Sequence, residues 1–349
     1  MVGKIPLRLE LRRARRGARP VLSMVSLVLA GSLALTACGG DDAPEPADSP
    51  DAQNTASGAT LQGQWPLTGL PAEGAAPKHP VMVVKIDNTG SSNPQIGLSK
   101  ADLITEELVE GGSTRLAVFY YSQVPGRVGP VRSMRATDIG IVKPADATLV
   151  ASGGAPVTVR RLKAAGIKVV SEGGPGYSRD SSRSAPYNLF MDLPALADKL
   201  KSPAPPENYF SWGDAADFPS GQKARSISAT FSGGHTTNWQ FRKGTYVNLN
   251  SEAAAGDEFK PDTVLVLRVK VGDAGYKDPA GNPVPETKFT GSGQAMVFHD
   301  GSMVRGTWSK KGLESNVSLK TKAGDLALPP GKVWVELVPA NGGNVTFKK

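Results

Sequence analysis

From residue 81 onward the apolar positions come in short, dense runs separated by glycines. The run "VMVVKID" (81–87) is apolar and β-branched at nearly every position, which predicts a strand buried on both faces. "LITEELVE" and "TRLAVFYYS" flank Gly111 and Gly112, and that arrangement predicts strand, turn, strand. "ATLVASGG" predicts a short buried strand ending in Gly153 and Gly154, "APVTVRRLKAAG" a helix stopped by glycine, and "IKVVSE" a further strand. Strand, helix and strand in alternation imply at least one crossover between parallel strands.

The pattern changes after the proline-rich stretch "KSPAPPE" (201–207). "ARSISATFS", "QFRKGTYVNLN", "DTVLVLRVKV", "GQAMVFHDGSMVRGTWSK" and "KVWVELVP" are short, valine-rich and bounded by turn residues, with Asp300-Gly301 marking a hairpin. The expected class is therefore α+β or α/β: a mixed α/β sandwich domain over 78–204, then a smaller, mainly antiparallel β domain over 205–349.

The N-terminus follows a different logic. Residues 1–19 hold seven basic side chains against Glu10, and an apolar run after Pro20 ends in "LTAC" (35–38). A basic segment followed by an apolar one of this length predicts an export signal. "LTAC" resembles a bacterial lipobox, in which the cysteine is acylated. Cys38 is the sole cysteine of the chain, so no disulfide can form within it. The expectation is a signal peptide over 1–38, lipidation at Cys38, and a protein anchored by its lipid to the outer face of the cell membrane. Residues 39–60 are rich in Ala, Pro, Ser and Asp, with little to bury, and the expected disordered tether extends over 39–77.

Charge reads differently once these parts are set apart. Of the net +8, residues 1–37 carry +6 and residues 39–60 carry −5, which leaves +7 on the body. A modest positive field suits anionic lipids, acidic glycans or sugar phosphates. Nucleic acid is excluded as a partner, because it calls for a dense basic stripe interleaved with aromatics. His79, His235 and His299 are scattered, so neither a zinc site nor a cysteine nucleophile is expected. Carboxylates alone could still hold Mg²⁺ or Ca²⁺.

Candidate chemistry gathers where predicted strands end, the place where α/β sheets bind ligands. Asp87 and Asn88 close the first strand, Glu106, Glu107 and Glu110 bracket the second, and Arg115 opens the third. "GRVGPVRSMRATD" (126–138) adds Arg132, Ser133 and Arg135, and "YSRDSSRSAPYN" adds Asp180, Arg183 and Asn188. Arginine forks with the backbone of Gly153 and Gly154 would hold a phosphate or carboxylate. Asp87, Asn88, Glu106, Glu110, Asp180 and Asn188 would act as acid, base or cation ligand. The competing reading is that these arginines pair with neighbouring acids and cover surface, where ion pairs stabilise by only about 0–1 kcal/mol.

At "KIDN", "SKAD", "EGGSTR" and "GPVRSMR", with "SGG", "RDSSRSAPYNL" and "LPPGKVWVELVP" following, the chain resembles the YerB-like bacterial lipoproteins, a domain-of-unknown-function (3048) family. The resemblance spans roughly 78–340 and implies a two-domain, membrane-anchored extracytoplasmic protein without an established reaction. Lys85 and Arg179 depart from the family pattern, and Arg127 lies outside it. The arginine before a strand and the R-S-x-R loop before a helix are also similar to the layout of LytR-CpsA-Psr envelope proteins, which hold a polyprenyl pyrophosphate. Three functions stay open: binding of an anionic envelope component such as a cell-wall polymer or lipid-linked precursor, an envelope phosphotransferase, phosphodiesterase or glycan hydrolase using Asp87, Glu106 and Glu110, and an adaptor acting through the β domain. An arrangement that gathers these side chains into one cleft would favour a site.

Overall fold

The computed structural model describes residues 63–202 and 204–349; the expected signal segment and Cys38 lie outside the described residues. The run at 81–87 becomes β1 (Met82–Asp87), buried at all six positions because its sheet is covered on both faces. β2 (Leu103–Leu108) and β3 (Thr114–Tyr120) form the expected antiparallel pair. Gly111 (φ 71°) and Gly112 (φ 73°) supply the left-handed backbone of the turn between them. A loop then leads to α1 (Asp138–Val142), β4 (Thr148–Ala151), α2 (Pro156–Ala164) and β5 (Lys168–Ser171). β4 lies parallel to β1 and β5 parallel to β4, so the predicted crossovers are present. The short pair β6 (Tyr177–Arg179) and β7 (Leu189–Met191) and then α3 (Leu193–Ala197) close this half.

Beyond the proline-rich stretch come β8 (Gln222–Lys223), β9 (Ser226–Ser232), β10 (His235–Arg242) and β11 (Thr245–Asn248). They are followed by β12 (Thr263–Lys277), β13 (Pro283–Lys288), β14 (Gly291–His299) and β15 (Ser302–Lys310). β16 (Ser318–Thr321), β17 (Gly324–Asp325), β18 (Val333–Pro339) and β19 (Asn344–Lys348) complete the chain.

The sheet does not stop at the proline-rich stretch. The main sheet runs β17-β16-β15-β14-β12-β18-β2-β3-β1-β4-β5, with β18 parallel to both β12 and β2. Strands from both halves thus share one hydrogen-bonded layer, and "KVWVELVP" is a central parallel strand rather than part of an antiparallel unit. Its seven positions are all buried, as a two-faced strand requires. The second sheet, β11-β10-β9-β19, is antiparallel and alternates buried and half-buried positions along β9, because one of its faces is turned toward water.

Two cores result. On one face of the main sheet Val83, Leu103 and Phe119 pack with Ile139 and Ile141 of α1. On the other face Val84, Ile104 and Leu116 pack with Ile227, Phe231 and Trp239 of the small sheet. Residues 63–77, assigned above to the tether, contribute to the first core: Leu67 is buried and Trp65 meets Tyr121 edge-on at 5.9 Å. These two apolar side chains are what the low-complexity reading of that stretch overlooked.

Candidate functional site

Side chains alternate along a strand, so Lys85, Asp87, Glu107 and Arg115 project onto the helix-bearing face. Register places Arg115 directly opposite Asp87 on one side and Glu107 on the other, since β3 lies between β1 and β2. Ala117 is opposite Lys85, and its small side chain leaves Lys85 room to cross β3. The Lys85 Nζ donates to Glu107 Oε1 (2.5 Å) and to Asp138 Oδ1 (2.7 Å) at the start of α1, and all three side chains are fully buried. Burial pushes the Glu107 carboxyl up; Lys85 opposes that, Asp138 adds to it, and the net is upward. Breaking such a buried pair on one side typically costs about 3–5 kcal/mol.

Arg135 continues this layer. Its backbone N–H donates to Asp138 Oδ2 (2.6 Å), and its guanidinium takes Glu110 bidentately, with Nε to Oε2 at 2.9 Å and Nη2 to Oε1. Burial pushes the Glu110 carboxyl up, but the Arg135 bond and charge outweigh it and hold the group below its ordinary value.

Arg115 and Arg132 are less well partnered. Asp87 Oδ2 lies 3.4 Å from Arg132 Nη1 and 4.0 Å from Arg115 Nη2, so one carboxylate serves two guanidiniums. Asp87 Oδ1 is occupied by the N–H and hydroxyl of Thr89. Arg115 donates through Nη1 to Ser133 O at 3.3 Å, while its Nε and the Arg132 Nη1 are buried without a hydrogen-bond partner. Burial, then the charges of Arg135 and Arg132, press the Arg115 guanidinium down to about 10, still protonated at neutral pH. Arg132 is 20% exposed and lies 4.9 Å over the Tyr187 ring, at the mouth of the group.

Ser133 and the glycine turn border this pair. Ser133 Oγ is 3.3 Å from Ser152 Oγ, and the Met134 N–H donates to Gly153 O. Gly153 has φ 141° and open space above it, whereas a Cβ on Gly154 would strike Met134 Cγ at 2.8 Å. The close approach of these two loops therefore needs glycine at 154.

Glu106 belongs elsewhere. It was expected beside Asp87 and Glu110, but one step along a strand reverses the side chain, and Glu106 points into the opposite core. There its carboxylate accepts from Asn88 Nδ2 (3.0 Å), Thr114 Oγ1 (2.7 Å), Thr237 Oγ1 (3.0 Å) and His235 Nε2 (2.8 Å). Glu336 sits beside it in register on β18 and accepts from Trp239 Nε1 at 2.8 Å. Burial and then the Glu106 charge push the Glu336 carboxyl well above its ordinary value, so it is held protonated. Burial also pushes Glu106 up, but His235 and Thr114 overcome it and the group stays below its ordinary value. For His235 burial pulls downward and Glu106 outweighs it, with a net rise.

A third group forms on the surface. Arg183 donates to the carbonyls of Ser92, Asn93 and Pro94, Asp180 pairs with Arg127 at 2.5 Å, and Asn188 Oδ1 accepts from Arg179. Arg127 and Arg183 both lie over the Phe190 ring. Arg127 is 49% exposed, in keeping with its place outside the family pattern.

The proposed constellation is thus divided. Asp87, Glu110, Arg115, Arg132, Ser133, Arg135, Gly153 and Gly154 come together; Asn88 and Glu106 join the opposite core, and Asp180, Arg183 and Asn188 a surface cluster. Among the described residues no three His, Cys, Asp or Glu side chains are grouped as metal ligands. Glu107 was expected at a strand end but not in this buried ion pair, and Lys85, Asp138, His235 and Glu336 were not foreseen as site residues. Of these four only Lys85 carried a signal, as a lysine inside an apolar strand run.

The fold and these strand-end motifs define a two-part family. Residues 67–205 match the model described as "Protein of unknown function (DUF3048) N-terminal domain" and 227–335 that of the corresponding C-terminal domain, and the chain belongs to this family. It is similar to "Putative lipoprotein YerB" of Bacillus subtilis (strain 168), with 23% identity over 290 residues, 78% of this chain and 86% of that protein. The crystal structure of YerB protein from Bacillus subtilis shares the fold, with a TM-score of 0.67 at 20% identity, covering 81% of this chain and 99% of that one. Among the described residues no helix is long and apolar enough to cross a membrane.

Proposed function

We propose that this lipoprotein-family chain is anchored through Cys38 at the outer face of the cell membrane. Its Arg115–Arg132 pair would bind an anionic group of an envelope component, a phosphate or pyrophosphate on a lipid-linked precursor or wall polymer. The supporting observation is the shared carboxylate: Asp87 serves two guanidiniums at long range, Arg115 Nε is buried without a hydrogen-bond partner, and Arg132 Nη1, 3.4 Å from Asp87 Oδ2, is buried without making a hydrogen bond. A buried donor left unpaired costs roughly 1–3 kcal/mol, and a ligand oxygen would recover it. Arg115 is fixed behind, Arg132 stands at the mouth, and Ser133 with the open backbone at Gly153 borders the space. Arg135 holds Glu110 and the start of α1, a bracing rather than a ligand role.

Binding is favoured over hydrolysis because the carboxylates are committed. Glu106 is fully buried in the other core and Glu110 is clamped by Arg135, so no pair faces the arginines. The test is calorimetric titration of the full chain in detergent with inorganic pyrophosphate. Binding should weaken at least tenfold in Arg132→Ala and be unchanged in Arg127→Ala. No binding, or equal binding by Arg132→Ala, would sink the proposal, and phosphate release would restore the enzymatic reading.

A further inference from the structure

The small sheet does not cover the whole face it packs on. Along β12 the alternation that places Val264 and Val266 in the shared core continues to Arg268 and Lys270, and along β14 Met296 is continued back to Gln294. On β15 Met303 is followed two residues later by Arg305. These outer positions therefore lie on the same face of the main sheet, past the point where the covering sheet ends. What ends it is β19, which pairs with β9 on one edge and with no other strand among the described residues. Between that open edge and the uncovered floor runs a groove of about 480 Å³, lined by Arg268, Lys270, Arg305, Gln294, Asn344 and Val345 among others, with no acidic residue.

Both walls are fixed in place. Arg268 is held by Nη2 bonds to the carbonyls of Ala340 (3.0 Å) and Gly343 (2.9 Å), in the turn that delivers β19. The Arg305 guanidinium lies 5.7 Å over the ring of Phe347, a β19 residue. Trp308 Nε1 bonds the Arg268 carbonyl at 3.0 Å, and a Cβ on Gly293 would collide with that carbonyl at 2.3 Å. The chain is thus tailored to keep Arg268 at this rim. An unpaired strand edge is a template for another strand, and natural proteins normally blunt it. Here the edge is left open beside three cations.

We propose that this groove docks an extended acidic peptide segment, which adds to β19 as a fifth strand of the small sheet and directs alternate carboxylates onto Arg268, Lys270 and Arg305. Main-chain bonds to the edge would supply affinity, and the charged floor would supply selection. The face is separate from the Arg115–Arg132 pair and independent of its ligand.

The experiment is fluorescence anisotropy of a labelled (Glu-Val)5 peptide with the full chain in detergent, with amide exchange of 344–348 followed in parallel. The expected result is saturable binding, slowed exchange at 344–348, and at least tenfold weaker binding by the Lys270→Gln/Arg305→Gln double variant. Those two side chains are exposed, and thermal melting checks that the variant is folded. A proline-interrupted peptide of equal charge cannot complete the ladder and should lose binding. Equal binding of the proline peptide or of inorganic polyphosphate, unslowed exchange, an unaffected double variant, or no binding at all would each overturn the proposal.

Discussion

Glu106 and Glu107 are neighbours in the chain and live in different electrostatic worlds. Glu107 shares Lys85 with Asp138, whereas Glu106 is held ionised by His235 against Glu336. The second arrangement ties stability to pH. Because folding raises the His235 pKa, its contribution is complete below about pH 6.5 and fades as pH climbs through the elevated folded value. Glu336 acts with the same sign, since the fold keeps it protonated while the unfolded chain ionises above about pH 4.3. Glu106 has the opposite sign, and its contribution is lost as pH falls through its lowered folded value. Stability of this cluster should therefore peak at about pH 4–5 and decline toward pH 8. In Glu336→Gln that decline should become shallower in thermal melts, where each kcal/mol shifts the midpoint by roughly 2–4 °C for a domain of this size. An unchanged slope would exclude Glu336 as its origin. The strand period alone separates 106 from 107, so that much was readable from sequence. The identities of His235 and Glu336 were not, because tertiary pairing across half the chain leaves no spacing to detect.

The elements were legible where local chemistry decides them and obscure where tertiary neighbours do. Asp300 (φ 44°) and Gly301 (φ 67°) form the hairpin turn that their sequence announces. Lys243 (φ 49°) and Gly244 (φ 86°) make a turn of the same hand inside "QFRKGTYVNLN", read above as one run because lysine is a poorer turn signal than asparagine or aspartate. The two glycines give a paired prediction. Gly244→Ala should cost about 1–2 kcal/mol from backbone alone, since nothing lies within 4 Å of the added carbon. Gly301→Ala should cost more in denaturant unfolding, because its Cβ would meet Phe241 Cδ1 at 2.9 Å. Equal losses would mean that the Phe241 ring moves aside freely. For β18 the seven apolar-patterned residues revealed a strand, yet its two parallel partners lie far apart in sequence, and no local rule ranks such pairings.

At the scale of the molecule, the proline-rich stretch at 201–207 separates two sequence families of strands without separating two sheets. β18, from the last seventeen residues, pairs Val333–Leu337 with Leu103–Glu107 of β2. An isolated 63–205 fragment would expose that edge and the core beneath the small sheet. It should therefore aggregate or stay unfolded by circular dichroism and size-exclusion chromatography, and co-expression with 206–349 should restore solubility. A soluble, cooperatively melting fragment would show that the half-sheet suffices. The position of β18 also sets an order in time. The strand that joins β2 to β12 follows every other strand of the main sheet in the chain, so the sheet cannot close until β18 has been made. A sheet built this way stays open along β2 and β12 until that strand is available, which makes its arrival the event that triggers assembly of the layer.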